Sequence, residues 1–409
     1  MTNRPCRNCG TQLTETFADL GMSPLSNSFI SSGRAHAMEP TYPLHAWVCS
    51  ECRLVQLEEF ESPAHIFSDY LYFSSYSDSW LRHAEAYAGA TVQRFGLGAH
   101  STVVEVASND GYLLQYFQRH NCRVLGIEPA ANVARVAVEK GIPSEVAFFG
   151  VDTARRLCKA GYDADQMAAN NVLAHVPDLN DFVGGFTILL KPQGVATFEF
   201  PHLLHQMREV QFDTIYHEHF SYLSLHVVRR ILAAHSLRVF DVEELPTHGG
   251  SLRVFACHDA AAHPQTPAVD AILAEELAAG LEEAKVYRAF ADQVIEVKAR
   301  LLRFLLDARA AGKRVAAYGA PAKGNTLLNY CGVGPELIGF TVDRSPHKQG
   351  TLLPGTRIPV HAPDAILEAQ PDYVLILPWN LRDEIMGQMA VIREWGGRFV
   401  VPIPRLLVL

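Results

Sequence analysis

The chain has 409 residues, 48% of them hydrophobic, and carries 35 Lys and Arg against 44 Asp and Glu, a formal net charge of −9. That length holds two or three domains of ordinary size, and an acidic balance without a basic block excludes a general nucleic-acid binder, whose affinity comes from neutralising phosphates. The N-terminus is polar as far as Cys6 and no apolar run is long enough to cross a bilayer, so no signal peptide and no membrane span are expected, and the expected compartment is the cytoplasm.

Four of the eight cysteines form Cys6-Arg7-Asn8-Cys9 and Cys49-Ser50-Glu51-Cys52. The other four (Cys122, Cys158, Cys257 and Cys331) are scattered among apolar residues and read as small buried hydrophobes. Two CxxC pairs supply the four ligands of one tetrahedral Zn(II). Redox chemistry at each pair is the alternative, but two pairs bracketing one small module favour zinc. The loop between them, residues 10–48, must fold back on itself, and metal binding would supply much of the module's folding free energy. Next comes Asp69-Tyr70-Leu71-Tyr72-Phe73-Ser74-Ser75-Tyr76, rich in rings and hydroxyls that serve either as core or as an aromatic wall. A helix follows, with Leu81, Ala84, Tyr87 and Ala88 on one face.

An α/β unit then begins. Thr102 to Val106 reads as a buried strand feeding the turn Ala107-Ser108-Asn109-Asp110-Gly111, and Tyr112, Leu113, Tyr116 and Phe117 have helical spacing. Arg123 to Ile127 is a second strand ending at Glu128 and Pro129. A strand-turn-helix-strand-acid unit holds a ribose, the turn approaching the ligand and the acid accepting from both hydroxyls. Without GxGxxG a phosphate-free cofactor fits better than a dinucleotide, which points to S-adenosylmethionine. NAD and a purely structural unit remain the alternatives. Gln166 to Pro177 reads as a later strand and the loop beyond it, Lys191 to Gly194 as a turn, and Val195 to Phe200 as another strand.

The stretch Thr214 to Tyr222 is the densest in proton-transfer groups, with Tyr216, His217, Glu218, His219 and Tyr222. It is not a zincin helix, because His217 and His219 are two apart rather than four. It serves either as the reacting centre or as an interfacial segment whose polar tips bond to backbone. From Thr266 to about Arg309 the pattern is that of a connecting helix pair. A second α/β unit starts at Arg314 to Gly319. Its turn Gly319 to Thr326 is no Walker loop, since Lys323 precedes Gly324, yet a backbone-lined turn with one Lys can hold an anion. Leu337 to Val342 and Tyr373 to Leu377, the latter followed by Pro378-Trp379-Asn380, are further strands. A structural and a ligand-binding role for this unit stand equal on these grounds.

Taken in order, both CxxC pairs, Glu105 to Gly111, Asn170 to Pro177, Tyr216-His217-Glu218-His219-Phe220, Pro246-Thr247-His248-Gly249-Gly250 and Tyr318 to Lys323 resemble the sugar C-methyltransferases that act on nucleotide-linked 4-keto deoxysugars. The resemblance spans essentially the whole chain. It implies an α/β protein with a small zinc-binding module (1–70), a class I methyltransferase Rossmann-like domain (71–245) and a C-terminal Rossmann-like domain with a helical linker (246–409). It implies C-methylation at carbon 3 of a nucleotide-linked 4-keto-6-deoxyhexose through an enolate, in deoxysugar biosynthesis, with S-adenosylmethionine as cofactor and zinc as a structural metal. His219 and Tyr216 would sit at the reacting centre, supported by Glu218, with His175 and Tyr72 lining the sugar pocket. The expected cofactor residues are Glu105, Ser108, Asn109, Asp110, Gly111, Glu128, Pro129, Phe149, Asn170 and Asn171. The expected substrate residues are Tyr76, Tyr222, His248, Lys323, Asn325, Trp379 and Asn380, the C-terminal domain helping to hold the nucleotide diphosphate. Two departures stand out: His217 occupies a place where relatives carry an acid, and Ala107-Ser108 replaces Gly-Cys or Gly-Ser. The rival functions are an O-methyltransferase on the same cofactor domain, an NAD-dependent sugar oxidoreductase and a non-catalytic zinc scaffold. A monomer is expected, a homodimer being the alternative.

Overall fold

The computed structural model describes residues 4–62 and 73–409. Tyr72 and the aromatic residues just before it lie outside the described residues. The central layer is a seven-stranded sheet in the order Leu237–Leu245, Ser251–His258, Leu190–Pro201, Ala164–Asn170, Thr102–Val106, Arg123–Ile127 and Ser144–Glu145. The last five run parallel, and Ser251–His258 is antiparallel to both of its neighbours. Every residue of Thr102–Val106 is buried, as a continuous apolar run sandwiched between helices must be. The chain order reverses beside this strand, which opens a crevice at the strand ends between it and Ala164–Asn170.

The helix Asp78–Phe95 covers one side of this sheet, with Ala84, Tyr87 and Ala88 buried as the spacing predicts. Ser77 caps it by accepting from the Trp80 amide, and Gly96 ends it in the left-handed region (φ 63°). Two expectations need correction. Lys191 to Gly194 is no separate turn but part of the strand Leu190–Pro201, whose pairing slips between Ala164 and Gln166 to absorb it. Of Leu337 to Val342 only Thr341–Val342 pairs as a strand, because the Leu337 and Ile338 amides bond back to the Gly334 carbonyl in a turn.

A second, six-stranded sheet forms the C-terminal layer, parallel except for its last strand, Leu407–Val408. The helix pair Pro267–Ala278 and Ala284–Ala310 connects the two sheets as expected. The domain limits drawn on the chain are not limits in space. Ser251–His258 completes the central sheet beyond residue 245. The N-terminal four-stranded sheet takes its last strand, Ser221–Tyr222, from the middle of the chain, paired with Val55 and Gln56. Ile30–Ser31 of the N-terminal module pairs with Thr351–Leu352 of the C-terminal one. One apolar cluster runs through all three units, from Phe17 and Leu44 through Phe212 and Ile215 to Tyr287, Leu327 and Val374.

Candidate active site and metal centre

The Sγ atoms of Cys6, Cys9, Cys49 and Cys52 all lie within 4.8 Å of one another, with Cys6 and Cys52, and Cys9 and Cys49, each 3.5 Å apart. A tetrahedral zinc with Zn–S of about 2.3 Å puts its sulfurs about 3.8 Å apart, so the donor set fits. With all four positions taken by sulfur the centre is a closed, structural one. Arg7, between the first two ligands, donates to the carbonyls of Pro177 (2.6 Å) and Leu57 and lies over the Phe220 ring. The knuckle therefore touches both the loop that carries His175 and the segment that carries His219.

At the strand ends the turn 107–111 is shaped for a ligand. Ala107 and Asn109 have positive φ, and a Cβ on Gly111 would meet Ile142 at 2.9 Å. The Asn109 amide donates to Glu128 Oε2 at 2.9 Å and the Ala130 amide to Oε1 at 2.8 Å, which fixes the carboxylate at the crevice edge beside Pro129. Ser108 Oγ, Asp110 Oδ1 and the side-chain oxygens of Asn170 and Asn171 are buried without a partner among the described residues, and the Glu105 carboxyl is buried with the Tyr112 phenol as its neighbour. Buried polar atoms are normally satisfied. This many orphans around one crevice mark a site for a polar ligand, and they are the residues expected to meet S-adenosylmethionine. Burial pushes the Glu105 carboxyl well above its ordinary range. Asp110 is held by Lys140 through Oδ2 (2.8 Å). Phe149 stands edge-on to Phe182 and Phe186 and packs against the apolar core.

Beyond the crevice the histidines converge. The Tyr216 hydroxyl is 2.8 Å from His219 Nε2, and His219 Nδ1 is 2.8 Å from the Thr214 carbonyl oxygen. A carbonyl only accepts, so Nδ1 carries the proton and Nε2 offers its lone pair to Tyr216. His175 packs edge-on against His219 with centroids 4.6 Å apart, and its Nδ1–H donates to the Glu218 carbonyl at 2.7 Å. Burial depresses the His219 pKa well below 6.5, reinforced by His175 and then, past the opposing Thr214 bond, by His248 and Lys323. Burial likewise lowers His175 to about 4. Both rings are neutral at pH 7.

Several expected residues take other parts. The Glu218 carboxylate does not support His219; it turns to Asn27 Nδ2 of the zinc module (2.6 Å), and only its carbonyl serves the site, through His175. His217 faces Pro43 and Tyr42. Tyr222 is a buried strand residue edge-on to His219. Asn325 is spent on the Ser26 carbonyl (2.6 Å), stitching two domains. Tyr76 is 78% exposed, its ring against Phe73. The indole N–H of Trp379 is committed to Asp213 Oδ2 at 2.7 Å, leaving its ring face to Lys323, which also donates to Asn380 Oδ1 (2.9 Å). Lys323, His248 and Asn380 remain where a substrate can meet them.

The structure adds residues that sequence reasoning missed. Glu199 is fully buried at the end of its strand, bonded to His83 (2.9 Å), Arg253 (2.8 Å) and Thr247 (3.1 Å). Burial alone would raise its pKa, but His83 and Arg253 overcome that and lower it. Trp80 stacks on His83 and meets His248 edge-on, so this network backs one wall of the cleft. A Glu inside the apolar run Val195 to Phe200 was the available signal.

Three family models match the chain: a zinc binding domain over residues 6–67, a methyltransferase domain over 80–242 and a C-methyltransferase C-terminal domain over 246–404. The C-methyltransferase NovU of Streptomyces niveus is 38% identical over 399 residues, covering 98% of this chain and 95% of that protein. Among solved structures, a magnesium protoporphyrin IX methyltransferase from Synechocystis aligns with a TM-score of 0.35 and 13% identity over 44% of this chain and 83% of its own. A methyltransferase from Aquifex aeolicus aligns at 0.31 and 18% identity over 41% of this chain and 88% of its own.

Proposed function

The chain belongs to the S-adenosylmethionine-dependent C-methyltransferases that carry a zinc binding domain and a C-methyltransferase C-terminal domain, and on that premise we propose that it methylates carbon 3 of a nucleotide-linked 4-keto-6-deoxyhexose. The observation that carries this reading is the hydrogen-bonded pair of Tyr216 and a neutral His219, with His175, His248 and Lys323 close enough to act on its charge. A ketone acidifies the neighbouring C–H, so a positioned base can remove that proton and leave the electron pair on the 4-oxo oxygen as an enolate. The proton goes to the Tyr216–His219 pair and ends on Nε2, the lone-pair nitrogen. Lys323 and His248 face the same space and offer charge and hydrogen bonding to developing negative charge. S-adenosylmethionine would supply an electrophilic sulfonium methyl group to the enolate carbon, its S–CH3 bond breaking to leave S-adenosylhomocysteine. The crevice residues Glu105, Ser108 to Gly111, Glu128, Asn170 and Asn171 would hold that cofactor in register with the dyad.

Incubation with S-adenosylmethionine labelled with carbon-13 in its methyl group and a panel of nucleotide-linked 4-keto sugars tests this. The product should show a carbon-bound methyl at position 3. A methyl on oxygen would establish O-methylation instead. Replacing Glu128 by Ala should weaken S-adenosylhomocysteine binding by about 1–3 kcal/mol, the cost of a lost charged hydrogen bond. Unchanged affinity by calorimetry would remove Glu128 from the site. The pH profile has a definite sign. The base acts unprotonated, and its pKa is held well below 6.5 by burial first and by His175 next. The acidic limb of kcat/KM, which reports the free enzyme, should therefore lie below pH 6.5; a limb centred at pH 7 or above would contradict the assignment.

A further inference from the structure

Three consecutive residues just before the Tyr216–His219 pair are each tied to something different. Asp213, fully buried, accepts from the Trp379 indole N–H through Oδ2 at 2.7 Å. The Thr214 carbonyl accepts from His219 Nδ1 at 2.8 Å. The Ile215 carbonyl accepts from Thr326 Oγ1 at 3.0 Å. Trp379 and Thr326 both belong to the C-terminal domain, Thr326 on the same helix as Lys323 and Trp379 with its ring under the Lys323 ammonium. The carbonyl that orients His219 thus hangs between two anchors supplied by the other domain.

The surroundings show that this strand of backbone is held rather than merely resting. Val210, at the entrance to the segment, has φ 47°, a left-handed conformation that a β-branched residue keeps only where its neighbours enforce it. The Gln211 amide bonds back to the Gln206 carbonyl and the Phe212 amide to the Val210 carbonyl, both at 2.8 Å. The Gln211 side chain donates to the Gly249 carbonyl at 2.9 Å. Gly249 itself has φ +91°, and a Cβ there would meet Trp379 at 2.7 Å. Gly249 of the Pro246 to Gly250 motif is therefore the clearance that lets Trp379 reach Asp213.

We infer that Thr326 and Trp379 are positioning residues for methyl transfer, fixing the ring orientation and tautomer of His219 through the Asp213–Ile215 backbone. The inference rests on His219 being the base, yet its structural half can be read without catalysis. The domain that carries Lys323 then also sets the geometry of the base, so substrate docking on that domain and proton removal share one rigid frame. A displacement of the base by about 1 Å can cost a hundredfold in rate, which sets the scale of the expected effect.

The test uses the full-length zinc-loaded protein and four variants: Thr326→Val, which keeps shape and loses the hydroxyl; Thr326→Ser, which keeps it; Trp379→Phe, which loses the indole N–H; and His219→Gln. Nitrogen-15 NMR of the histidine rings, with His219 assigned by its absence in His219→Gln, should show Nδ1–H in the wild type. The same tautomer should appear in Thr326→Ser, and a rising Nε2–H fraction in Thr326→Val and Trp379→Phe. In those two variants kcat should fall about tenfold to a hundredfold with S-adenosylhomocysteine affinity unchanged, and Thr326→Ser should restore kcat. If Thr326→Val does not fold, Trp379→Phe carries the test. An unchanged tautomer and kcat within twofold of wild type in the folded variants would overturn the inference. A shifted tautomer alongside full activity in His219→Gln would instead uphold the positioning and overturn the base assignment.

Discussion

Replacing His219 by Gln is expected to lower methyl transfer by about a hundredfold to ten-thousandfold, the range for losing a general base, with S-adenosylhomocysteine affinity unchanged. Gln can still donate to the Thr214 carbonyl that His219 Nδ1 now reaches at 2.8 Å, so the segment keeps its shape. What disappears is the lone pair at Nε2, the group bonded to Tyr216 that takes up the proton. Tyr216→Phe removes the relay and leaves that lone pair, so it should slow transfer less. A phenol with an ordinary pKa near 10 is a poor base at pH 7, and the imidazole that meets the Tyr216 hydroxyl is neutral. Single-turnover rates of the two variants separate the roles. Equal losses would make Tyr216 the proximal base with His219 behind it, and undiminished transfer by His219→Gln would move the base elsewhere.

The second large effect concerns stability. Cys49→Ser should lose its zinc, about one ion per chain by metal analysis, and destabilise the protein by more than about 4–5 kcal/mol, a size reached only by losses such as that of a metal or a core cavity. The consequence reaches past the module because its apolar core is continuous with the C-terminal sheet through Phe17, Tyr287 and Phe290. It also reaches the site, since Arg7 holds the Pro177 carbonyl and Asn180 bonds the Arg7 and Asn8 carbonyls. Thermal unfolding and zinc content measured on the same sample check this. Full zinc retention in Cys49→Ser would contradict the assignment of the four ligands.

Much of this arrangement was legible where one local signal sufficed. The CxxC pairs announce four thiolates at one point, and the strand Thr102–Val106, the turn after it and Glu128 announce a crevice at the strand ends. His175 and His219 could be named, but that their rings touch depends on a long-range fit: the Phe220 amide bonds the Ala174 carbonyl. The strand Ser221–Tyr222 has only two residues and therefore no period to detect, so its place in the zinc module's sheet was invisible. Trp379 and Asn325 look like ligand-binding side chains at strand and helix ends. The Trp379 indole N–H and the Asn325 Nδ2 turn out to be consumed by Asp213 and Ser26 across domain boundaries, which no spacing reveals. Glu218 failed for a similar reason. Residues 216–219 form a turn closed by the His219 amide on the Tyr216 carbonyl, so adjacent side chains do not alternate, and the Glu218 carboxylate and the His217 ring both face the zinc module.

The central claim is that this enzyme makes a carbanion equivalent at carbon 3 before the methyl moves. With S-adenosylhomocysteine in the cofactor site and a nucleotide-linked 4-keto-6-deoxyhexose in deuterated water, no methyl is available and only the proton step can run. Wild-type protein should exchange the carbon 3 hydrogen for deuterium, seen by mass spectrometry and NMR, and His219→Gln should lose that exchange. Methylated product formed by a wild-type enzyme that never exchanges carbon 3, or exchange by His219→Gln at the wild-type rate, would contradict the account.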